Sequence, residues 1–235
     1  MTFDTNVPGW MTSSDLAVLH KLAGLVPKSG SIIEVGCFLG RSTDAFFNGK
    51  DSSVKMTVVD SFQVHGGYET HRNIFAKKVN EKGQEYIDAF GSQELYDAAK
   101  ELANSTGDWL AGFKYCVGQD LLDDINLHKS YFKDFNLDPK GYDLAFIDAS
   151  HKFEDVLFDI SKFITNQKTL IVGDDFTWAQ PGVARALTEV RRGDINGRST
   201  KRLLIVPECS KIWMLVPVEG YWKEQFRKKD SFFFE

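Results

Sequence analysis

"IIEVGCFLGRST", residues 32–43, decides how the rest of the chain is read. Ile32, Ile33 and Val35 have the β-branched, apolar character of a covered strand, and Glu34 interrupts them with a carboxylate. Gly36 and Gly40 then allow a tight turn and a close approach to the backbone. Arg41-Ser42-Thr43, running into Asp44-Ala45-Phe46-Phe47, opens a helix. A strand, a glycine loop and a helix N-terminus make up a cofactor-binding unit of α/β proteins.

The other runs extend this unit into a sheet. Strands are predicted at Ile32–Val35, Met56–Val59, Phe113–Val117, Leu144–Ile147 and Leu170–Val172. Helical patterns lie between several of them, as in Val156, Leu157, Ile160, Phe163 and Ile164. Thr12-Ser13-Ser14-Asp15 caps an earlier helix whose face is Leu16, Leu19, Leu22 and Ala23. Alternation of this kind predicts a mostly parallel sheet covered on both faces. Leu203–Val206 and Ile212–Val216 are separated by too few residues for a crossover helix, so they form an antiparallel pair. The predicted fold is α/β: a Rossmann-like, doubly wound, seven-stranded sheet ending in that pair. The stretch from Asp60 to Phe113 is about twice what one crossover helix needs. It is read as a helical cap or lid insert at 61–112 within a single domain spanning 1–235.

Composition narrows the function classes. The chain of 235 residues is 43% hydrophobic and 13% aromatic, enough for one full core, and its net charge of −5 argues against a broad nucleic-acid surface. Cys37, Cys116 and Cys209 are odd in number and lack a C-x-x-C spacing, so neither a disulfide framework nor a zinc site is expected. The sequence shows no signal peptide and no apolar run long enough to span a membrane, and a cytoplasmic location is expected.

The loop chemistry selects the cofactor. A nicotinamide loop reads G-x-G-x-x-G and receives a pyrophosphate. Here Glu34 would repel a phosphate but suits an ammonium group, and Asp60 at the second strand end suits a ribose diol. Together they point to S-adenosylmethionine, which carries an amino-acid moiety and a sulfonium but no phosphate.

On Glu34-Val35-Gly36, Asp60, Gly118-Gln119-Asp120, Asp148-Ala149-Ser150-His151 and Gly173-Asp174-Asp175, the chain resembles class I S-adenosylmethionine-dependent methyltransferases. It is most similar to small-molecule O-methyltransferases of the catechol and macrolide-sugar type. The resemblance implies that Glu34, Gly36, Phe38, Gly40 and Ser42 surround the methionine part. It also implies that Asp60 and Ser61 hold the ribose, that Gly118 and Gln119 border the adenine, and that Asp148 lies at the cofactor. Phe38 could equally be core, and Cys37 a plain loop residue. Asp120, Asp123 and Asp124 read as a solvated helix turn.

Asp148, Asp174 and Asp175 end two adjacent strands, where three carboxylates repel one another unless a cation neutralises them. Oxygen ligands favour Mg²⁺ or another hard divalent ion. The alternative is that Asp148 serves the cofactor and the acid pair caps a turn. His151 stands where catechol-type enzymes often place a lysine base, and an imidazole can do that work near neutral pH; a loop histidine fixing its turn is the plainer alternative. His65 and His71 are weaker candidates.

The expected reaction is in-line transfer of a methyl group to a hydroxyl of a small-molecule acceptor, with the insert, Trp178 and Pro181-Gly182-Val183 forming the acceptor pocket. Metal-free N-methylation and cofactor binding without turnover remain as alternatives. RNA methylation is disfavoured, because Arg191, Arg192, Arg198, Lys201 and Arg202 are only a short basic cluster at a helix end. The tail "FRKKDSFFFE" packs on the chain's own core or, alternatively, on a partner in a homo-oligomer or on a membrane surface.

Overall fold

The computed structural model describes residues 3–63, 91–177, 179–192, 201–206 and 211–228. Helix α1 (Ser13–Ala23) opens with a capping box: the Asp15 N–H donates to Thr12 Oγ1, and the Thr12 N–H donates to Asp15 Oδ2. The chain continues through β1 (Ser31–Val35), α2 (Arg41–Gly49) and β2 (Lys55–Asp60). Three helices follow, α3 (Gln93–Thr106), α4 (Leu110–Cys116) and α5 (Gln119–Asp124), leading into β3 (Ile125–Lys129). Then come β4 (Leu144–Ile147), α6 (Phe153–Ile164), β5 (Leu170–Gly173) and α7 (Pro181–Arg192). The last elements are β6 (Lys201–Ile205), β7 (Trp213–Pro217) and α8 (Tyr221–Lys228).

The seven strands lie in the order β3-β2-β1-β4-β5-β7-β6. All neighbours are parallel except β5/β7 and β7/β6, as the short C-terminal connection requires. The period-two rule divides the inner strands between two cores. Ile32, Met56, Val58, Leu144, Phe146 and Leu170 face α1 and α2, while Ile33, Val35, Ala145, Ile147 and Ile171 face α6 and α7. Both sides of β1, β4 and β5 are therefore apolar, which accounts for their continuous hydrophobic runs.

One predicted strand is corrected. Phe113–Val117 belongs to α4 and its C-cap, and the third strand is Ile125–Lys129. A short apolar run does not distinguish helix from strand by itself. Here Phe113 and Val117, four apart, both press on Gly40, and Asp108 Oδ1 accepts the Leu110 N–H at the helix start. β3 escaped notice because it is a sheet edge: Ile125 is buried, whereas Asn126, His128 and Lys129 are exposed.

The described part of the insert is not peripheral. Tyr96, Ala99, Ala103 and Trp109 are buried in the same cluster as Phe46 and Met56. Residues 64–90, with His65 and His71, lie outside the described residues, as do Trp178, Arg198, Cys209 and the end of the tail. The helix before the tail packs on the core, with Trp222 Nε1 donating to the Asp143 carbonyl at 2.9 Å.

Candidate functional site

The loops after β1, β2, β4 and β5 converge at the C-terminal edge of the sheet. Gly36, Phe38 and Gly40 all have left-handed backbones, with φ of 85°, 49° and 94°. At Gly36 a Cβ would stand 2.3 Å from the Asp148 carbonyl oxygen, so only glycine lets the β1 loop lie against the end of β4. Asp60 holds the crest of that loop. Its Oδ2 accepts the Cys37 and Phe38 N–H groups at 2.8 and 3.0 Å, and its Oδ1 accepts the Phe62 N–H at 2.6 Å. Ser61 follows, half-buried.

Glu34 is fully buried. It accepts hydrogen bonds from Ser42 Oγ at 2.5 Å and Thr43 Oγ1 at 2.7 Å, tying β1 to the first turn of α2. Burial pushes its carboxyl up to about 8 despite those two donors, so it is neutral at pH 7. Cys37 is also buried, and burial pushes its thiol upward, which suits an inert loop residue. Gly118 and Gln119 do not follow a strand: both are exposed at the start of α5, and Gln119 Nε2 donates to Asp123. The residues that do follow β3, beside Asp60, are Ser130 and Tyr131, and the Ser130 N–H donates to the Asp60 carbonyl. Gly118 and Gln119, which the resemblance sets at the adenine, thus stand at a helix start and not at a strand end.

Among the acids, the structure regroups what the sequence put together. Asp148, His151 and Asp175 each offer one ligand atom, all within 4.8 Å of one another. His151 Nε2 is 2.8 Å from Asp175 Oδ2 and 3.8 Å from Asp148 Oδ1. Asp148 and Asp175 together raise the imidazole to about 10. Asp175 has φ of 61°, a strained conformation for a non-glycine residue. Gly182, in the first turn of α7, would place a Cβ 2.2 Å from the His151 carbonyl oxygen, so α7 sits directly on the histidine loop. Asp174 is drawn away to Lys211, whose Nζ donates to its Oδ2 at 2.6 Å and lies 3.9 Å from Asp15. The other Asp174 oxygen is buried without a hydrogen-bond partner among the described residues, and Asp174 lines the same pocket as Asp148 and His151. Burial, only partly offset by Lys211, pushes Asp174 up to about 7. Two carboxylates, an imidazole and an orphaned carboxylate oxygen nearby are a donor set that fits a hard divalent cation.

Lys211, Trp10 and Trp109 went unremarked in the sequence, and a fourth residue, Arg41, was noted only in passing. Lys211 precedes β7 and reaches the acid pair only because β7 lies beside β5. Trp10 and Trp109 flank Phe38, with ring centroids at 4.9 and 5.2 Å. Arg41, read only as a helix start, is 3% exposed. The available signal was its sign: a cation in the first turn opposes the helix dipole and needs another reason to be there.

The strand order and the reversed last pair are those of a Rossmann-like, doubly wound sheet that ends in an antiparallel pair. Among solved structures, a protein from Corynebacterium glutamicum superimposes with a TM-score of 0.52 at 12% identity, covering 91% of this chain and 84% of that one. Cofactor-bound Rv0187 from MTB gives a TM-score of 0.52 at 12% identity, covering 92% and 85%. An O-methyltransferase from Bacillus cereus in complex with SAH gives 0.44 at 13% identity, covering 90% and 84%. No family model and no curated protein matches the chain. Among the described residues, no helix is long and apolar enough to cross a membrane.

Proposed function

We propose that the protein is an S-adenosylmethionine-dependent methyltransferase acting on a hydroxyl of a small molecule, with a divalent cation held by Asp148 and Asp175 beside His151. The observation that carries this reading is the meeting of two sites. The glycine loop held by Asp60 touches the end of β4 at Gly36, and the Asp148–His151–Asp175 cluster begins at that contact. Methyl donor and acceptor would thus be bound side by side, and positioning is what displacement at a sulfonium most needs.

Gly36, Phe38 and Gly40 shape the donor loop, Asp60 fixes its crest, and Ser61 extends it toward the ribose. Glu34 and Ser42 brace its base. Ser130 and Tyr131 replace Gly118 and Gln119 at the adenine end. A hard divalent cation would hold the acceptor oxygen, favour its ionised form and offset the carboxylates that keep His151 protonated. His151 itself holds a proton at Nε2 against Asp175, so in these surroundings it is an acid, and serving as the base requires that this charge balance change.

A second reading, methyl transfer without a metal, is favoured by the ion pairs Asp174–Lys211 and Asp175–His151, which already neutralise two of the acids. Calorimetry tests the common core. S-adenosylhomocysteine should bind and NAD should not, and tight binding of NAD alone would overturn the assignment. Mg²⁺ titration of the complex then separates the two readings.

A further inference from the structure

Residues 4–11 form an irregular segment of turns and bends that runs beside the donor loop and is tied down at several points. Arg41 Nε donates to the Met11 carbonyl at 2.8 Å, and its Nη1 donates to the carbonyls of Thr5 and Val7, both at 2.5 Å. The Asp4 N–H donates to Asp44 Oδ2, and the Ser92 N–H donates to the Asn6 carbonyl. At Gly9 a Cβ would lie 2.9 Å from Arg41, so the segment runs directly over that side chain. A buried guanidinium in the first turn of a helix is costly, and here Nε and Nη1 both donate to this segment.

Trp10, near the end of the segment, links both halves of the site. Its ring packs on Phe38 of the donor loop, whose other flank meets Trp109. Its carbonyl accepts from Lys211 Nζ at 3.1 Å, the same ammonium that holds Asp174 beside the acid cluster. Trp109 Nε1 is buried without a hydrogen-bond partner, so the wall around Phe38 carries a polar group for which the described residues supply no acceptor.

We infer that the segment 4–11 is a built part of the site: Arg41 and Lys211 anchor it, and Trp10 is a positioning residue that holds the Phe38 loop over the bound donor next to the acceptor acids. The inference rests on the cofactor assignment above for its ligand, but not for its mechanical content. A structural role alone would make Trp10 contribute to stability. A positioning role makes it govern how long the donor analogue stays bound.

The test uses the full chain in two measurements. In stopped flow, S-adenosylhomocysteine should leave Trp10→Ala about three- to tenfold faster than wild type, while Trp10→Phe, which keeps an aromatic partner for Phe38, restores the slow rate. A wild-type dissociation rate in Trp10→Ala overturns the inference. In hydrogen exchange without ligand, Arg41→Lys should speed exchange in residues 4–11 and, with them, in 36–40. Faster exchange confined to 4–11 also overturns it. If wild type binds no S-adenosylhomocysteine, the cofactor assignment fails, and the exchange result still decides whether the segment controls the loop.

Discussion

At the scale of single residues, the site gives up stability in order to bury an ionisable group. Glu34 shows this most directly. It is neutral in the folded protein up to about pH 8, against an ordinary value of 4.5. Between those two values the native state binds a proton that the unfolded state has released, so stability falls as pH rises across that window and stays low above it. Glu34→Gln removes the penalty while keeping an oxygen for Ser42 and Thr43. The variant should be more stable than wild type by about 1–3 kcal/mol at pH 8 and nearly equal to it at pH 4, as read by urea denaturation. The reverse pH trend would show that the buried carboxyl is ionised in the native state. Its affinity for S-adenosylhomocysteine should stay close to that of wild type, because the buried, neutral Glu34 spends both oxygens on Ser42 and Thr43.

Elements carry the next level of constraint, and the β1–α2 loop separates two kinds of glycine. At Gly36 the obstacle is the Asp148 backbone, while at Gly40 it is the Val117 side chain, 2.3 Å from an added Cβ. Both positions have positive φ, so alanine costs about 1 kcal/mol or more in strain at each. The steric part differs. Gly40→Ala should regain stability when combined with Val117→Ala, whereas no side-chain truncation rescues Gly36→Ala. Thermal melts of the two singles and the double check this, and equal losses without rescue would place the clash elsewhere. The same loop shows why α4 was misread: Phe113 and Val117 are apolar because they pack on Gly40, and that requirement is indifferent to whether the run is helix or strand.

At the scale of the whole molecule, the sheet order decides which acids meet. β4 and β5 are neighbours, so Asp148 and Asp175 converge. β7 inserts beside β5 and brings Lys211 to Asp174. If the Asp148–His151–Asp175 cluster holds a divalent ion, Mg²⁺ at a hundred times its dissociation constant should stabilise the wild type by about 2.7 kcal/mol. The shift should vanish with chelator and in Asp175→Asn. Mg²⁺ shifts of equal size in wild type and variant would remove the cluster as a metal site and favour transfer without a metal.

The sequence by itself determined the class of the fold. Continuous apolar runs alternating with helical patterns, glycines at a strand end and a short final connection permit few topologies, because each is a local consequence of backbone geometry and burial. It also placed Glu34, Asp60, Asp148 and Asp175 at strand ends. It did not show β3, since an edge strand with exposed Asn126, His128 and Lys129 has no burial pattern to read. Nor could it show that Asp174 pairs with Lys211, that His151 turns to Asp175, or that Arg41 reaches back to Thr5, Val7 and Met11. Those pairings join residues far apart in the chain, or choose between adjacent carboxylates of the same chemistry. Only packing in three dimensions, which sets where each side chain can find a partner once water is excluded, decides among them.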